Sequence, residues 1–201
     1  MIAVVNYGVG NLFSIESSLK SLGFETLITS DIGEISAADK IILPGVGAFG
    51  NAVEKLKESG LFSVIKREAE LGKPVFGICL GMQLLFEKSY EFGLFSGLGL
   101  LKGEICPLKD DIAGLKIPHM GWNSLNILKK SPVLKYVNKG EYVYFVHSFY
   151  AKNCDNSTIA TCGYGADIPA VVGKGNIFGA QFHPEKSGDT GLKILKAFGE
   201  L

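Results

Sequence analysis

The 201-residue chain has few of the residues from which metal sites and disulfide frameworks are built. It contains three histidines and four cysteines, and no two cysteines form a Cys-x-x-Cys pair. No His/Cys cluster has the ligand spacing of a zinc site, so we predict no metal and no other cofactor. The widely separated cysteines are expected to be reduced thiols, as cysteines in the cytoplasm are.

The chain also has no excess of positive or negative charge. The 20 Lys and Arg residues balance the 20 Asp and Glu residues, which favours neither nucleic acid nor an anionic membrane as a partner. No apolar run reaches the roughly 18 residues of a membrane span. Residues 1–5 lack the basic region and long apolar stretch of a signal peptide. We therefore predict a cytoplasmic protein.

What the chain does have is an ordinary globular composition, with 47% hydrophobic and 20% charged residues. It shows no internal repeat, no low-complexity tract and no linker. Because a chain of this length fits one domain with a substantial core, we interpret residues 1–201 as a single domain.

Short apolar runs alternate with helical patterns in the first half of the chain. The runs that indicate strands are 2–5, 24–28, 40–43 and 75–78, and helical periodicity covers 12–22, 51–71 with a break near Ser59-Gly60, and 80–88. This alternation predicts a parallel sheet with helices on both faces. Such sheets carry their sites at the carboxyl ends of the strands, where the turns at 6–11, 44–47 and 77–81 are expected.

Glycine, tyrosine and β-branched residues dominate the second half, which we predict to be antiparallel or mixed. Its strand-like runs are 122–128, 142–150, 158–162, 170–173 and 177–182. Residues 173–176 resemble a hairpin loop, and 187–201 are expected to form a closing helix with Ser187 as its N-cap. The predicted fold class is therefore α/β, with a mostly parallel central sheet, helices on both faces and additional antiparallel strands in the second half.

Residues 77–81 read Gly-Ile-Cys-Leu-Gly, the cysteine form of a Gly-x-Ser-x-Gly nucleophile elbow. Glycines on both sides of Cys79 would relieve crowding at a strained turn. A helix beginning near Leu80 would direct its positive end at the sulfur and favour the reactive thiolate. The Leu80 backbone N–H would also face an oxyanion formed on a substrate. The alternative interpretation of Cys79 is a buried, inert cysteine.

A base and a carboxylate follow about a hundred residues later, in His183-Pro184-Glu185. Pro184 disfavours a helical conformation at His183, and residues two apart in an extended segment share one side. His183 and Glu185 can therefore meet, which completes a predicted nucleophile, acid/base and carboxylate set with Cys79. The alternative for these three residues is a surface His-Pro turn.

The Pro44-Gly45-Val46-Gly47 turn is predicted to supply the second oxyanion donor, the Val46 N–H, although an ordinary turn is the alternative. His119 and His147 are weaker signals, and we interpret each as a hydrogen-bonded structural histidine.

Three segments resemble the motifs of class I glutamine amidotransferases and occur in the same order. They are residues 44–47, residues 77–83 and Phe182-His183-Pro184-Glu185. Three further stretches resemble the glutaminase subunits of imidazole glycerol phosphate synthases, enzymes of histidine biosynthesis: residues 7–12, 118–123 and 145–149. The resemblance covers essentially the whole chain. It implies a flavodoxin-like fold, hydrolysis of L-glutamine to glutamate and ammonia, and a heterodimer with a (β/α)₈-barrel cyclase that uses the ammonia.

The resemblance also implies roles for individual residues. Cys79 would attack the glutamine side-chain amide and form a thioester, His183 would protonate the departing ammonia and then activate water, and Glu185 would orient His183. The residues implied to hold glutamine are Gly47, Gln83, Ser148 and Phe149. The residues implied to lie towards the partner or the ammonia path are Asn11, Trp122 and Lys186.

One departure from the pattern is Asn6, where relatives often carry Asp, and it is expected to alter hydrogen bonding only near the 8–11 turn. Three alternatives to the histidine-pathway subunit remain open. A paralogue could deliver ammonia to a sugar-modifying enzyme of surface polysaccharide synthesis. A stand-alone cysteine hydrolase could use a similar elbow, because fold alone does not fix function. A catalytically silent regulatory subunit is disfavoured by the three triad residue types.

Overall fold

The computed structural model describes residues 1–201, which form three β-sheets surrounded by helices. The strands are β1 (Ile2–Val5), β2 (Thr26–Thr29), β3 (Lys40–Leu43), β4 (Val75–Ile78), β5 (Phe86–Ser89), β6 (Phe95–Ser96), β7 (Leu101–Pro107), β8 (His119–Ser124), β9 (Asn126–Ile127), β10 (Tyr142–His147), β11 (Phe149–Lys152), β12 (Thr158–Gly163), β13 (Asp167–Lys174) and β14 (Ile177–Ala180). The helices are α1 (Leu12–Ser21), α2 (Ile32–Ala37), α3 (Phe49–Glu58), α4 (Leu61–Glu70), α5 (Leu80–Leu84) and α6 (Gly188–Gly199), with 3-10 turns at Leu108–Asp110, Pro132–Leu134 and Pro184–Lys186.

The largest sheet has eight strands in the order β2-β1-β3-β4-β14-β13-β12-β9. The first five of these run parallel, and the last three add antiparallel strands at one edge. A four-stranded sheet (β11-β7-β5-β6) and a two-stranded ladder (β10-β8) complete the structure. The predicted fold class is confirmed, including the antiparallel strands of the second half.

Helices cover both faces of the large sheet because neighbouring residues of a strand point to opposite sides. Ile2 and Val4 of β1 belong to one hydrophobic core with α1 and α6. Ala3 and Val5 belong to a second core with α2, α3, α4 and α5. The carboxyl ends of β1, β3, β4 and β14 lie along one edge, since these strands are parallel neighbours.

Two predicted boundaries in this region are wrong. The helix expected at 80–88 is α5 and ends at Leu84, because Leu98 N–H donates to the Leu84 carbonyl and Leu100 N–H to the Leu85 carbonyl. The Leu84 and Leu85 carbonyls thus pair with residues 98–101 instead of with a further helical turn, and the chain turns into β5. The run predicted at 142–150 is two strands in different sheets, β10 and β11, separated at Ser148.

The closing helix is present as α6, but Ser187 does not cap it with its side chain. The Ser187 hydroxyl instead donates to the His183 carbonyl at 2.7 Å and accepts the Tyr144 N–H at 2.9 Å. The predicted break in the 51–71 helix lies at Gly60, which separates α3 from α4 with a φ of 74°. The hairpin predicted at 173–176 connects β13 to β14.

No helix of the chain is long and apolar enough to cross a lipid bilayer. All four cysteines are free thiols, and no cluster of His, Cys, Asp and Glu is arranged to hold a metal ion. The single-domain interpretation and the cytoplasmic location stay predictions.

Candidate active site

Cys79 occupies the turn between β4 and α5 with φ 54° and ψ −111°, a conformation that non-glycine residues rarely adopt. Its backbone N–H donates to the Ala180 carbonyl of β14 at 2.7 Å, so the strained turn is fixed to the neighbouring strand. Strain of this kind persists only where the surroundings hold it, and it is typical of functional sites.

The glycines on either side of Cys79 are required by space. A Cβ on Gly81 would lie 1.8 Å from the Leu43 carbonyl oxygen, and a Cβ on Gly77 would lie 2.6 Å from the Gly81 carbonyl oxygen. A Cβ on Gly45 would lie 2.6 Å from the Gly81 nitrogen. The end of β3 and the 44–47 turn therefore pack directly against the elbow, as the parallel sheet predicts.

His183 and Glu185 lie beyond the end of β14, next to the elbow. His183 Nδ1 is 2.9 Å from Glu185 Oε1, and the side chain of Glu185 is completely buried. Burial by itself lowers the pKa of His183, but the Cys79 sulfur and the Glu185 carboxylate raise it to about 10. The imidazole is therefore protonated at neutral pH and can donate a proton towards the sulfur side of the site.

Most of the predicted site residues line one cavity of about 340 Å³. These residues are Val46, Gly47, Cys79, Leu80, Gln83, Ser148, Phe149 and His183. Glu185 does not line the cavity and lies behind His183. This volume and its mixture of apolar and polar walls suit a small amphiphilic molecule.

Val46 and Leu80, the residues predicted to supply the oxyanion donors, both line the cavity together with Cys79. Leu80 is the first residue of α5, so its N–H has no acceptor within the helix. Val46 belongs to the turn packed on the elbow and is 43% exposed, and Gly47 has a φ of 94°. The positive φ at position 47 explains why this turn needs glycine.

Two polar residues that the sequence did not reveal as site residues lie in or beside the cavity. Glu91 lines it, accepts the Phe49 N–H at 2.7 Å through Oε2, and has its pKa raised by burial. Gln181 is completely buried and contacts Cys79. The sequence does contain a pattern that indicates Gln181. It precedes His183 by two residues, as His183 precedes Glu185, and residues two apart in an extended segment share one side.

His119 and His147 are hydrogen-bonded to each other, with His119 Nδ1 2.9 Å from His147 Nε2. His147 Nδ1 donates to the Phe149 carbonyl at 2.9 Å, so its Nε2 accepts and His119 donates. Burial is the main cause that lowers the pKa of His147 to about 3. His119 is stacked on Tyr164 and Phe145 and lies outside the cavity, whereas His147 is part of its wall.

The three residues expected to lie towards a partner are outside the cavity. Asn11 Nδ2 donates to Glu185 Oε1 at 3.4 Å, and Lys186 is exposed immediately after Glu185. Trp122 is 53% exposed on β8 and packs edge-on against Tyr144, 6.0 Å between ring centroids.

Asn6 accepts the Gly8 N–H through Oδ1 at 3.2 Å, at the start of the turn that carries Asn11. The amide oxygen of Asn6 thus accepts the hydrogen bond that a carboxylate oxygen would accept if this residue were an aspartate.

Comparison with known proteins places this geometry in a family. The family described as Glutamine amidotransferase class-I matches residues 3–200. A relative from Caldanaerobacter subterraneus subsp. tengcongensis, named Imidazole glycerol phosphate synthase subunit HisH, is 54% identical over 100% of this chain and 98% of its own length. A HisH subunit from Lactococcus lactis is 52% identical, with 99% and 98% covered.

Solved structures show the same fold at lower identity. A crystal structure of a glutamine amidotransferase covers 100% of both chains with a TM-score of 0.78 and 18% identity. A structure of PurLQS from Thermotoga maritima gives a TM-score of 0.75 at 24% identity, with 98% of this chain and 96% of that chain covered. The elbow, the His-Glu pair and these matches together show that the chain belongs to the class I glutamine amidotransferase family, and within it to the HisH subunits of imidazole glycerol phosphate synthase.

Proposed function

We propose that Cys79, His183 and Glu185 hydrolyse L-glutamine, and that the ammonia is used by a cyclase partner in imidazole glycerol phosphate synthesis, a step of histidine biosynthesis. The observation that carries this proposal is that His183 lines the same cavity as the strained Cys79 and has the buried Glu185 carboxylate 2.9 Å behind its ring. The family of the chain supplies the substrate class.

The first half of the reaction forms a thioester. The Cys79 sulfur attacks the side-chain amide carbon of glutamine, the C–S bond forms, and the carbonyl oxygen takes up negative charge. The N–H groups of Leu80 and Val46 stabilise that oxyanion, a contribution of about 10²–10³ in rate for each donor. The protonated His183 then gives its proton to the leaving nitrogen, the C–N bond breaks, and ammonia departs.

The second half returns the enzyme to its starting state. His183, now neutral, removes a proton from a water molecule that attacks the thioester carbon. The C–S bond breaks, glutamate leaves, and His183 again carries a proton beside the sulfur. Glu185 holds Nδ1 of the ring throughout, which keeps the reacting Nε2 directed at the cavity.

The cavity also offers groups for the glutamine main-chain end. The side-chain nitrogen of Gln83 donates hydrogen bonds to the Phe149 carbonyl and to Gln181 Oε1. The side-chain oxygen of Gln83 is therefore left to accept from the substrate ammonium. Glu91 uses only Oε2 within the chain, so its second oxygen adds a negative charge for the same ammonium. Gly47, Ser148 and Phe149 complete the wall.

We propose the (β/α)₈-barrel cyclase as the partner, docked on the surface that carries Asn11, Trp122 and Lys186. Phe13 and Met120, each two residues along the chain from Asn11 and Trp122, add apolar side chains that are 78% and 61% exposed. The hydrogen bond of Asn11 to Glu185 and the exposed position of Lys186 after it support a short ammonia path from the cavity to the partner. The cytoplasmic location belongs to the same proposal.

The decisive experiment is reconstitution with the cyclase, using Cys79→Ala and the matched variant Cys106→Ala. Cys106 lies on β7 outside the cavity. Cys79→Ala should abolish glutamine-dependent product formation and leave ammonia-dependent formation intact, whereas Cys106→Ala should retain both activities. Glutamine hydrolysis by Cys79→Ala would contradict the mechanism. Failure to activate any barrel cyclase, with success alongside a sugar-modifying enzyme, would assign the chain to the polysaccharide pathway.

A further inference from the structure

Behind the cavity, a chain of buried amide groups ends on the nucleophile. The Gln181 side chain is completely buried, its Nε2 lies 3.8 Å from Cys79 Sγ, and its Oε1 accepts from Gln83 Nε2 at 3.0 Å. We infer that Gln181 is a further catalytic residue whose amide N–H stabilises negative charge on the Cys79 sulfur. This inference rests on the proposed role of Cys79 as the nucleophile.

The orientation of the Gln181 amide follows from the acceptor at the far end of this chain. The Phe149 carbonyl oxygen can only accept hydrogen bonds, and it receives them from Gln83 Nε2 at 3.0 Å and His147 Nδ1 at 2.9 Å. Gln83 must therefore present its nitrogen here, and the second N–H of that nitrogen donates to Gln181 Oε1. Gln181 is left with its own nitrogen towards Cys79.

The Cys79 sulfur thus lies between an acceptor and a donor. As a thiol it donates to the Val146 carbonyl at 3.8 Å, which favours the neutral form. The Gln181 N–H favours the thiolate, because a hydrogen bond to an ionised acceptor is about twice as strong as one between neutral groups. The sulfur raises the pKa of two titratable side chains, His183 and Tyr7, and the Tyr7 hydroxyl donates to the Pro44 carbonyl and not to the sulfur.

Gln181 reaches the sulfur without lining the cavity, so it has no contact with the space that glutamine occupies. Its N–H serves the sulfur in the two states in which sulfur carries charge: before attack on glutamine, and after the thioester has been hydrolysed. Loss of this donor should therefore lower the rate of the chemical step. Substrate binding should change less, because Gln83 keeps its hydrogen bond to the Phe149 carbonyl.

The test measures alkylation of Cys79 by iodoacetamide in the glutamine-free protein across pH 5 to 10, with the Cys79 peptide quantified by mass spectrometry. In Gln181→Met, which removes the donor at similar volume, the midpoint of the alkylation profile should move upward by about one pH unit. The kcat for glutamine with the partner should fall about tenfold, with KM changed less than about threefold.

Two further variants keep the test decisive. Met82→Leu alters buried packing on α5 without removing a polar group, and its alkylation profile should match that of the unaltered chain. If Gln181→Met does not fold, Gln181→Asn keeps a buried amide but withdraws the N–H from the sulfur by one methylene, and it should shift the midpoint in the same direction. An unshifted profile in a folded Gln181 variant would overturn the inference.

Cys79→Ala separates this inference from the proposed function. If Cys79→Ala still hydrolyses glutamine, Cys79 is not the nucleophile, and the inference about Gln181 fails as well. Lost hydrolysis in Cys79→Ala together with an unshifted Gln181→Met profile leaves the glutaminase mechanism standing and rejects only the role of Gln181.

Discussion

His183 Nδ1 lies 2.9 Å from Glu185 Oε1, although the two residues are separated in the chain by a single proline. The pair is buried, and Asn11 is the other side chain that donates to the same carboxylate oxygen. The carboxylate therefore acts almost entirely on one imidazole, and it is one of the two groups that raise the pKa of His183 to about 10.

We expect Glu185→Gln to change both the activity and the pH dependence of stability. The raised pKa of His183 means that its bound proton stabilises the fold fully below pH 6.5, and that this stabilisation is lost as pH rises towards about 10. Urea unfolding of the two proteins should therefore differ most near pH 6 and converge near pH 10. A constant difference across this range would contradict the assignment. The kcat for glutamine should fall at least about a hundredfold.

Gly81→Ala should destabilise the chain by about 3 kcal/mol, because the added Cβ would lie 1.8 Å from the Leu43 carbonyl oxygen. Gly163→Ala is the matched control, since a Cβ there meets nothing within 4 Å and the residue is exposed. Its free energy of unfolding should change by less than about 0.5 kcal/mol. Equal stability of the two variants in chemical denaturation would show that the elbow tolerates movement of β3.

Glu91→Gln should raise the KM for glutamine about 10- to 100-fold while kcat changes little, because a charged contact to the substrate ammonium is lost. The Gln side chain can still accept the Phe49 N–H, so the loop should remain in place. Glu58→Gln, at the exposed end of α3, serves as the control and should leave KM unaltered.

The pH profile gives a second readout for Glu91. Burial raises the pKa of this carboxyl, so it takes up a proton at a higher pH than an ordinary glutamate does. As pH falls, KM of the unaltered protein should begin to rise at that higher pH. A KM that is independent of pH down to the ordinary carboxyl range would argue that Glu91 has no contact with the substrate.

Trp122→Ala should weaken binding to the barrel cyclase roughly tenfold to a hundredfold, since large exposed aromatic side chains often dominate interface energies. Leu71→Ala removes a side chain that is 75% exposed beyond α4, at the amino end of β4 and away from the site. Calorimetric titration should show that Leu71→Ala binds the cyclase normally. Equal loss of affinity in both variants would exclude the proposed docking surface.

The sequence was sufficient for the parts of the structure that depend on short-range pattern. The alternation of apolar runs and helical periods predicted the parallel sheet, and residues 77–81 predicted a strained turn that the Cys79 φ of 54° shows. Spacing alone predicted that His183 and Glu185 meet. These features are encoded within a few residues of each other, so no knowledge of the tertiary fold was needed.

The parts that the sequence did not reveal depend on distant segments. Glu91 lines the cavity, and its Oε2 accepts a hydrogen bond from the N–H of Phe49, 42 positions earlier in the chain. Helix α5 ends at Leu84, where the carbonyls of Leu84 and Leu85 accept hydrogen bonds from residues 98 to 101. Helical periodicity is a local pattern and does not predict such distant hydrogen bonds. Gln83 could be linked to the site only through the resemblance, and its contact with Gln181 spans 98 positions.

The absence of a side chain at Gly81 has a consequence for any attempt to redesign this protein. The nucleophile and the spacing of the central strands are set by the same close approach to the Leu43 carbonyl. A variant cannot move its sulfur to suit a longer or bulkier amide without separating adjacent strands, so new substrate preferences must be built into other lining residues, such as Ser148 and Phe149.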